Sequence, residues 1–202
     1  MTVLVRSDAM TDSDSQLPEW LIPPAGGFTA DDLDHFPQLP AHTELLDGSL
    51  VFVSPQASFH PLMVSLLEHG LRSSAPDDVR VRREMSVVLG RRQRPEPDII
   101  VIRDTADLGP DTTAYQAADV LLAVEVVSPD SEIRDRERKP QLYAQAGIPH
   151  FWRIEREAEP TAYIHARDPR TGEYTIIDVH RGAFKVDVPF PVEIDLNEIH
   201  KL

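Results

Sequence analysis

Two short apolar runs limit what this chain can fold into. DIIVI (98–102) and VLLAVEVVS (120–128) are brief and rich in branched residues. Such runs are typical of strands buried on both faces of a sheet, which need other elements packed above and below them. They predict an α/β (α+β) fold with a mixed β-sheet flanked by helices.

The rest of the chain fits around that sheet. HTELL and SLVFV (42–46 and 49–53) are β-prone runs joined by Asp47-Gly48, a dipeptide suited to a tight hairpin turn, and so predict an N-terminal β-hairpin. Thr29 reads as the N-cap of a short helix with acids in its first turn. In SFHPLMVSLLEHGLRSS, Val64, Leu67 and Leu71 fall at helical spacing, with Pro61 at the first helical position and Phe59 or His60 at the cap. VRVRREMSVVL (79–89) alternates as one strand, a helix is predicted around 136–146, and HFWRIE (150–155) is a further strand. Antiparallel hairpins complete the chain. Residues 1–27 are acidic and punctuated by Pro and Gly, and read as a flexible arm; residues 28–202 read as a single domain.

Composition excludes several function classes. There is no cysteine, hence no disulfide and no thiolate zinc site. No apolar run approaches the roughly 18 residues that span a bilayer, so no membrane partner is expected. The N-terminus has no secretory pattern, and a cytoplasmic protein is expected. The P-loop, nucleophile-elbow and zinc-helix motifs are absent.

Glu125 is the residue that points to chemistry. Every near neighbour in its run is apolar, and a buried carboxylate needs a cation or strong hydrogen bonds. Alone, it fits an ion pair with an arginine as well as a metal. Asp98 opens the other buried run. Two acids, one at the start of one strand and one late in the next, can form an oxygen-ligand site for Mg²⁺, and an antiparallel pair would bring them together. Lys139 is the third candidate, because only three lysines stand against 17 arginines. Where arginine is the habit, a compact point charge suggests a specific use. Taken alone it also reads as a solvated helix lysine.

The segments TELLDGSLVFVSP, PDIIVI, VEVVSPDS, KPQLYAQAGIP and HFWRIE, in that order, resemble the Uma-type branch of the PD-(D/E)XK nuclease superfamily over roughly residues 28–200. The resemblance implies a restriction-endonuclease-like core and a DNA endonuclease that uses Mg²⁺ or Mn²⁺. It implies that Asp98, Glu125 and the backbone carbonyl of Val126 hold the metal and that Lys139 is the catalytic lysine. In the superfamily pattern that lysine lies two residues after the acid, where this chain has Val127; in this branch it is displaced to the next helix. Pro140 beside it is expected to start or kink that helix. Glu44 and His60 also match recurrent positions of the branch. Glu44 is a candidate further acid near the metal, although on its own it reads as a polar residue on an exposed hairpin face. His60 reads as a core or capping histidine. His150 and Glu155 stand where the branch more often has other residues and read as peripheral.

The net charge of -14 is unusual for a protein that binds nucleic acid, but its distribution is uneven. No Lys or Arg occurs in residues 7–71, which hold ten acids. Half of the 20 basic residues fall within 80–94 and 134–139. These windows are expected to border the acidic site while the 7–71 segment lies away from it. Arg91, Arg92, Arg94 and Arg138 are the candidate nucleic-acid contacts, with solvated faces as the plainer reading. A homodimer is expected from how such nucleases cut duplexes. The alternative function is a catalytically inactive module of the same fold that binds nucleic acid or protein, and an acidic protein-interaction domain is a third possibility.

Overall fold

Alternation along the first apolar run has a direct structural result. Ile99 and Val101 face one side of the central sheet, Ile100 and Ile102 face the other, and all four are fully buried. The computed structural model describes residues 18–202. Most of the expected acidic arm, residues 1–17, lies outside the described residues. The chain then forms α1 (Asp32–His35), β1 (Glu44–Leu46), β2 (Ser49–Val51) and α2 (Phe59–Ser74). Next come β3 (Val79–Arg83), β4 (Ser86–Val88), β5 (Ile99–Arg103), β6 (Ala114–Gln116) and β7 (Val120–Val126). A π-helical turn (Arg134–Arg138) leads into α3 (Lys139–Gln145), followed by β8 (His150–Arg156), β9 (Pro160–Arg167), β10 (Tyr174–Arg181), β11 (Ala183–Val186) and β12 (Val192–Asp195).

Six strands form a mixed sheet in the order β10-β9-β8-β7-β5-β3. β7 and β8 run parallel, as expected of strands joined by a helical crossover, and the other neighbours are antiparallel. On one face, Met63, Val64, Leu67 and Leu71 of α2 pack on Val124, Val126 and Trp152. On the other, Tyr143 of α3 meets Ile100, Ala123 and Phe151. Both faces of β5 and β7 are therefore dry, which explains their unbroken apolar sequences.

Three local expectations change. The run 79–89 is two strands, because Glu84 adopts a left-handed backbone (φ 51°) and its N–H turns to the carbonyl of Asp98. The N-cap position of α2 is Ser58, not Phe59 or His60, and the Ser58 side chain makes no capping hydrogen bond. Pro61 is then its third residue, where the missing N–H still costs nothing because the first turn has no intrahelical acceptors. In the first short helix Thr29 is not the cap. The helix starts at Asp32, whose carboxylate accepts from the N–H and hydroxyl of Thr29.

The Asp47-Gly48 hairpin forms as expected, with φ of 55° and 79° at the two residues. It lies outside the six-stranded sheet and is fixed by exchange of backbone hydrogen bonds between Leu45 and Arg94. A Cβ on Gly48 would lie 2.4 Å from Nε of Arg92, and the positive φ adds its own strain. Gly48→Ala is expected to lower stability by roughly 1–3 kcal/mol in urea denaturation. An unchanged midpoint would show that the hairpin is not held in this form.

Candidate active site

The register of the central strands brings the two predicted acids to one place. Ile99 of β5 pairs with Val124 of β7, so the next residue outward, Asp98, stands across from Glu125. Oδ2 of Asp98 accepts from the backbone N–H of Val126 at 2.6 Å, and Oδ1 lies 3.0 Å from Nε2 of His60. Since Val124 and Val126 belong to the α2 face, Glu125 between them points toward α3.

Glu125 is only 2% exposed, and both its oxygens are engaged. Nζ of Lys139 lies 3.1 Å from Oε2, and the Tyr143 hydroxyl donates to Oε1 at 2.5 Å. The same ammonium is 2.8 Å from Oε1 of Glu44 and 3.3 Å from Oδ1 of Asp135, whose other oxygen accepts from the hydroxyl of Ser131. Lys139 reaches this centre because the preceding turn is π-helical. Its N–H bonds to the carbonyl of Arg134, five residues back, and the widened turn leaves room for Pro140 in the first turn of α3. Pro140 therefore starts the α-helix without turning Lys139 away.

The electrostatics follow from burial and crowding. Burial is the main cause that raises the Glu125 carboxyl well above its ordinary range; Asp135, Asp98 and Glu44 add to it and Lys139 opposes it. Asp135 is also raised, first by burial, against the pull of Lys139. For Lys139, burial alone would lower the pKa, but the three carboxylates outweigh it and hold the ammonium charged. Tyr143 is pushed well up by burial and by Glu125, so it remains a neutral donor. His60 is raised on balance: burial lowers it, and Asp98 more than compensates.

Glu44, Asp98, Glu125 and Lys139 line one cavity of about 330 Å³, together with His60 and Asp135. Glu44 is not on an exposed face. It is 2% exposed and also accepts from the N–H of Glu96, because the hairpin folds over the end of the sheet. His60, read as a core or capping residue, instead contacts Asp98 across the cavity. Asp135 and Tyr143 were absent from the expected site. Their spacing of four on either side of Lys139 was the available signal, since it puts all three near one helix face. Glu155 is buried, does not line this cavity and pairs with Arg136 and Arg153; His150 opens β8 and is part-buried.

The expectation for Arg94 is corrected. Arg94 is 5% exposed and spends its guanidinium on the carbonyl of Ala30 and on Asp34, so it holds α1 and is closed to a ligand. Arg138 is paired with Asp47, and Arg92 donates to the carbonyl of Asp47. Arg91 is exposed. The described part of the acidic 7–71 segment does not all lie away from the pocket, since Glu44 lines it and Asp47 neutralises one of its flanking arginines.

A family model matches residues 31–197, most of the chain; it is that of Uma2, described as "Putative restriction endonuclease". The chain belongs to the Uma2 family. A solved structure of the same fold is that of a "putative nuclease" from Anabaena variabilis, which superposes on this Uma2 protein with a TM-score of 0.67. The match covers 86% of this chain and 98% of that one at 16% identity, so the likeness is one of fold. No curated protein matches the sequence.

Lys139→Met removes the ammonium from among three carboxylates. At neutral pH the loss of stability is expected to be about 3–5 kcal/mol, the range for breaking a buried ion pair. Acids with raised folded pKa values carry their penalty above the ordinary carboxylate range and lose it below. The deficit of the variant against the native chain should therefore shrink between pH 7 and pH 4 in urea titrations. A deficit independent of pH would mean that Lys139 contributes packing rather than charge.

Proposed function

We propose that this Uma2 protein is a divalent-metal-dependent endonuclease that hydrolyses phosphodiester bonds of DNA. The observation that carries the reading is the convergence of Asp98 and Glu125, from adjacent strands, on one cavity that also holds the Lys139 ammonium. The donor set suits a hard cation such as Mg²⁺ or Mn²⁺, being made of carboxylate oxygens. Among the described residues no three His, Asp or Glu groups form a ready-made cage. Mg²⁺ does not need one, because it is commonly bound through one or two carboxylates and completed by water and substrate phosphate. Asp98 and Glu125 keep lone pairs beyond their present hydrogen bonds, and the backbone carbonyl of Val126 is the third expected donor. Glu44 stands next to them.

The bound ion supplies Lewis-acid neutralisation of phosphate charge. The chain supplies the rest. Tyr143 and Lys139 fix the carboxylate of Glu125, while His60 and the Val126 N–H fix that of Asp98. Lys139 carries a permanent charge beside the reacting group, where it stabilises negative charge that develops on phosphate oxygens. A water oxygen forms the new bond to phosphorus and gives up a proton, the bond to the leaving sugar oxygen breaks, and that oxygen takes up a proton, so that one water is added across the bond. Cutting both strands of a duplex calls for two copies, which is the basis for a homodimer.

One observation favours a catalytically inactive binding module: both oxygens of Glu125 are already held by protein donors. Activity on plasmid and oligonucleotide DNA with Mg²⁺ or Mn²⁺ separates the two readings. The native chain is expected to cut DNA only with added metal, and Asp98→Ala and Glu125→Ala to lose at least about 100-fold in rate. DNA binding with no cleavage under any divalent ion would establish the inactive module.

A further inference from the structure

Beside the acidic cavity lies a second one, of about 240 Å³, which shares Gln56, His60 and Ser128 with it. It opens beyond the C-terminal ends of the parallel strands β7 and β8, where ligands of α/β sheets commonly bind. Its lining is unlike the first. Phe59 and Pro129 give it an apolar surface, and its acids are masked, since Glu155 is paired with Arg136 and Arg153 and Glu132 with Arg136. At its rim Arg156 is exposed, and its guanidinium lies over the Phe59 ring, 5.4 Å from its centre, so that the two side chains form one stacked surface at the cavity mouth. Among the described residues no carboxylate pairs with Arg156, in contrast to Arg94 and Arg138.

We propose that this second cavity is the subsite for the nucleotide next to the scissile phosphate, with its base inside against Phe59 and its phosphate on Arg156. The inference rests on the nuclease reading and adds the form of the substrate. A base stacked in a duplex cannot enter a cavity, so the nucleotide must be unpaired, as in single-stranded, bulged or flipped DNA. Stacking on an aromatic side chain tolerates any base, so no strong sequence preference is required. The masked acids matter here, because open carboxylates would repel the phosphate that Arg156 attracts.

Fluorescence anisotropy with labelled DNA and no added metal reads the subsite apart from cleavage. Single-stranded DNA, and a duplex with one bulged nucleotide, should bind at least about tenfold more tightly than the same duplex fully paired. Ala57→Trp fills the cavity from an exposed loop position and should abolish that preference. Arg156→Ala should weaken binding and lower the salt slope by about one phosphate contact. Equal binding of paired and unpaired DNA, unaltered by Ala57→Trp and Arg156→Ala, would overturn the subsite. If the native chain still cuts DNA in that case, the nuclease reading survives. If the preference and both variant effects appear without cleavage under any metal, the cavity is a binding site for an unpaired nucleotide, but its place beside a scissile phosphate is overturned together with the nuclease reading.

Discussion

The ammonium of Lys139 is buried among the carboxylates of Glu44, Glu125 and Asp135, and each comes from a different part of the chain. Glu44 belongs to a hairpin outside the main sheet, Glu125 to its central strand, and Asp135 to the π-helical turn. None of these carboxylates could be buried alone, because desolvation of an unpaired charge costs several kcal/mol. One lysine therefore makes three burials possible and draws the hairpin, strand and turn over one end of the sheet. The π-helical turn belongs to the same arrangement. It sets the phase of the helix so that Asp135, Lys139 and Tyr143 reach one centre while Tyr143 also joins the core.

The centre remains short of positive charge. Glu44, Glu96, Asp98, Glu125, Asp130 and Asp135 line the cavity against Lys139, Arg134 and His60, and the raised carboxyls of Glu125 and Asp135 reflect burial and mutual repulsion. A purely structural ion-pair network would be expected to balance its charges. A surplus of carboxylates around an open cavity suits a centre that gains further positive charge when it works. Beside it, the Phe59 and Arg156 cavity has the opposite character, apolar with its acids neutralised. On the proposed reading, the two together would divide the labour of a nucleic-acid site into charge at the reacting phosphate and stacking at its neighbour.

Much of the frame was legible in the sequence because it depends on local pattern. The branched runs at 98–102 and 120–128 read as buried strands, and Asp47-Gly48 read as a tight turn. Glu125 stood out as the one charge in an apolar run. What could not be read depends on distant partners. Asp135 sits in RDRER, which looks like a solvated charge run, and only the ammonium of Lys139 and the hydroxyl of Ser131 explain its burial. Arg94 looked like one more arginine of an exposed turn until Asp34 and the carbonyl of Ala30 closed around it. Glu84 breaks an alternating run by a backbone angle that its side chain does not announce. Glu44 was judged by its hairpin alone, whereas its surroundings are set by residues about 50 and 95 positions away, Glu96 and Lys139.

On the proposed function, Asp98 and Glu125 share one divalent ion while Lys139 stays beside it. Anomalous diffraction from crystals soaked with Mn²⁺ tests it most directly, because the signal locates the ion itself. One strong peak is expected within coordination distance of both carboxylates, with Lys139 still against Glu125 or Glu44. No peak at saturating Mn²⁺, or a peak bound by neither Asp98 nor Glu125, would contradict it.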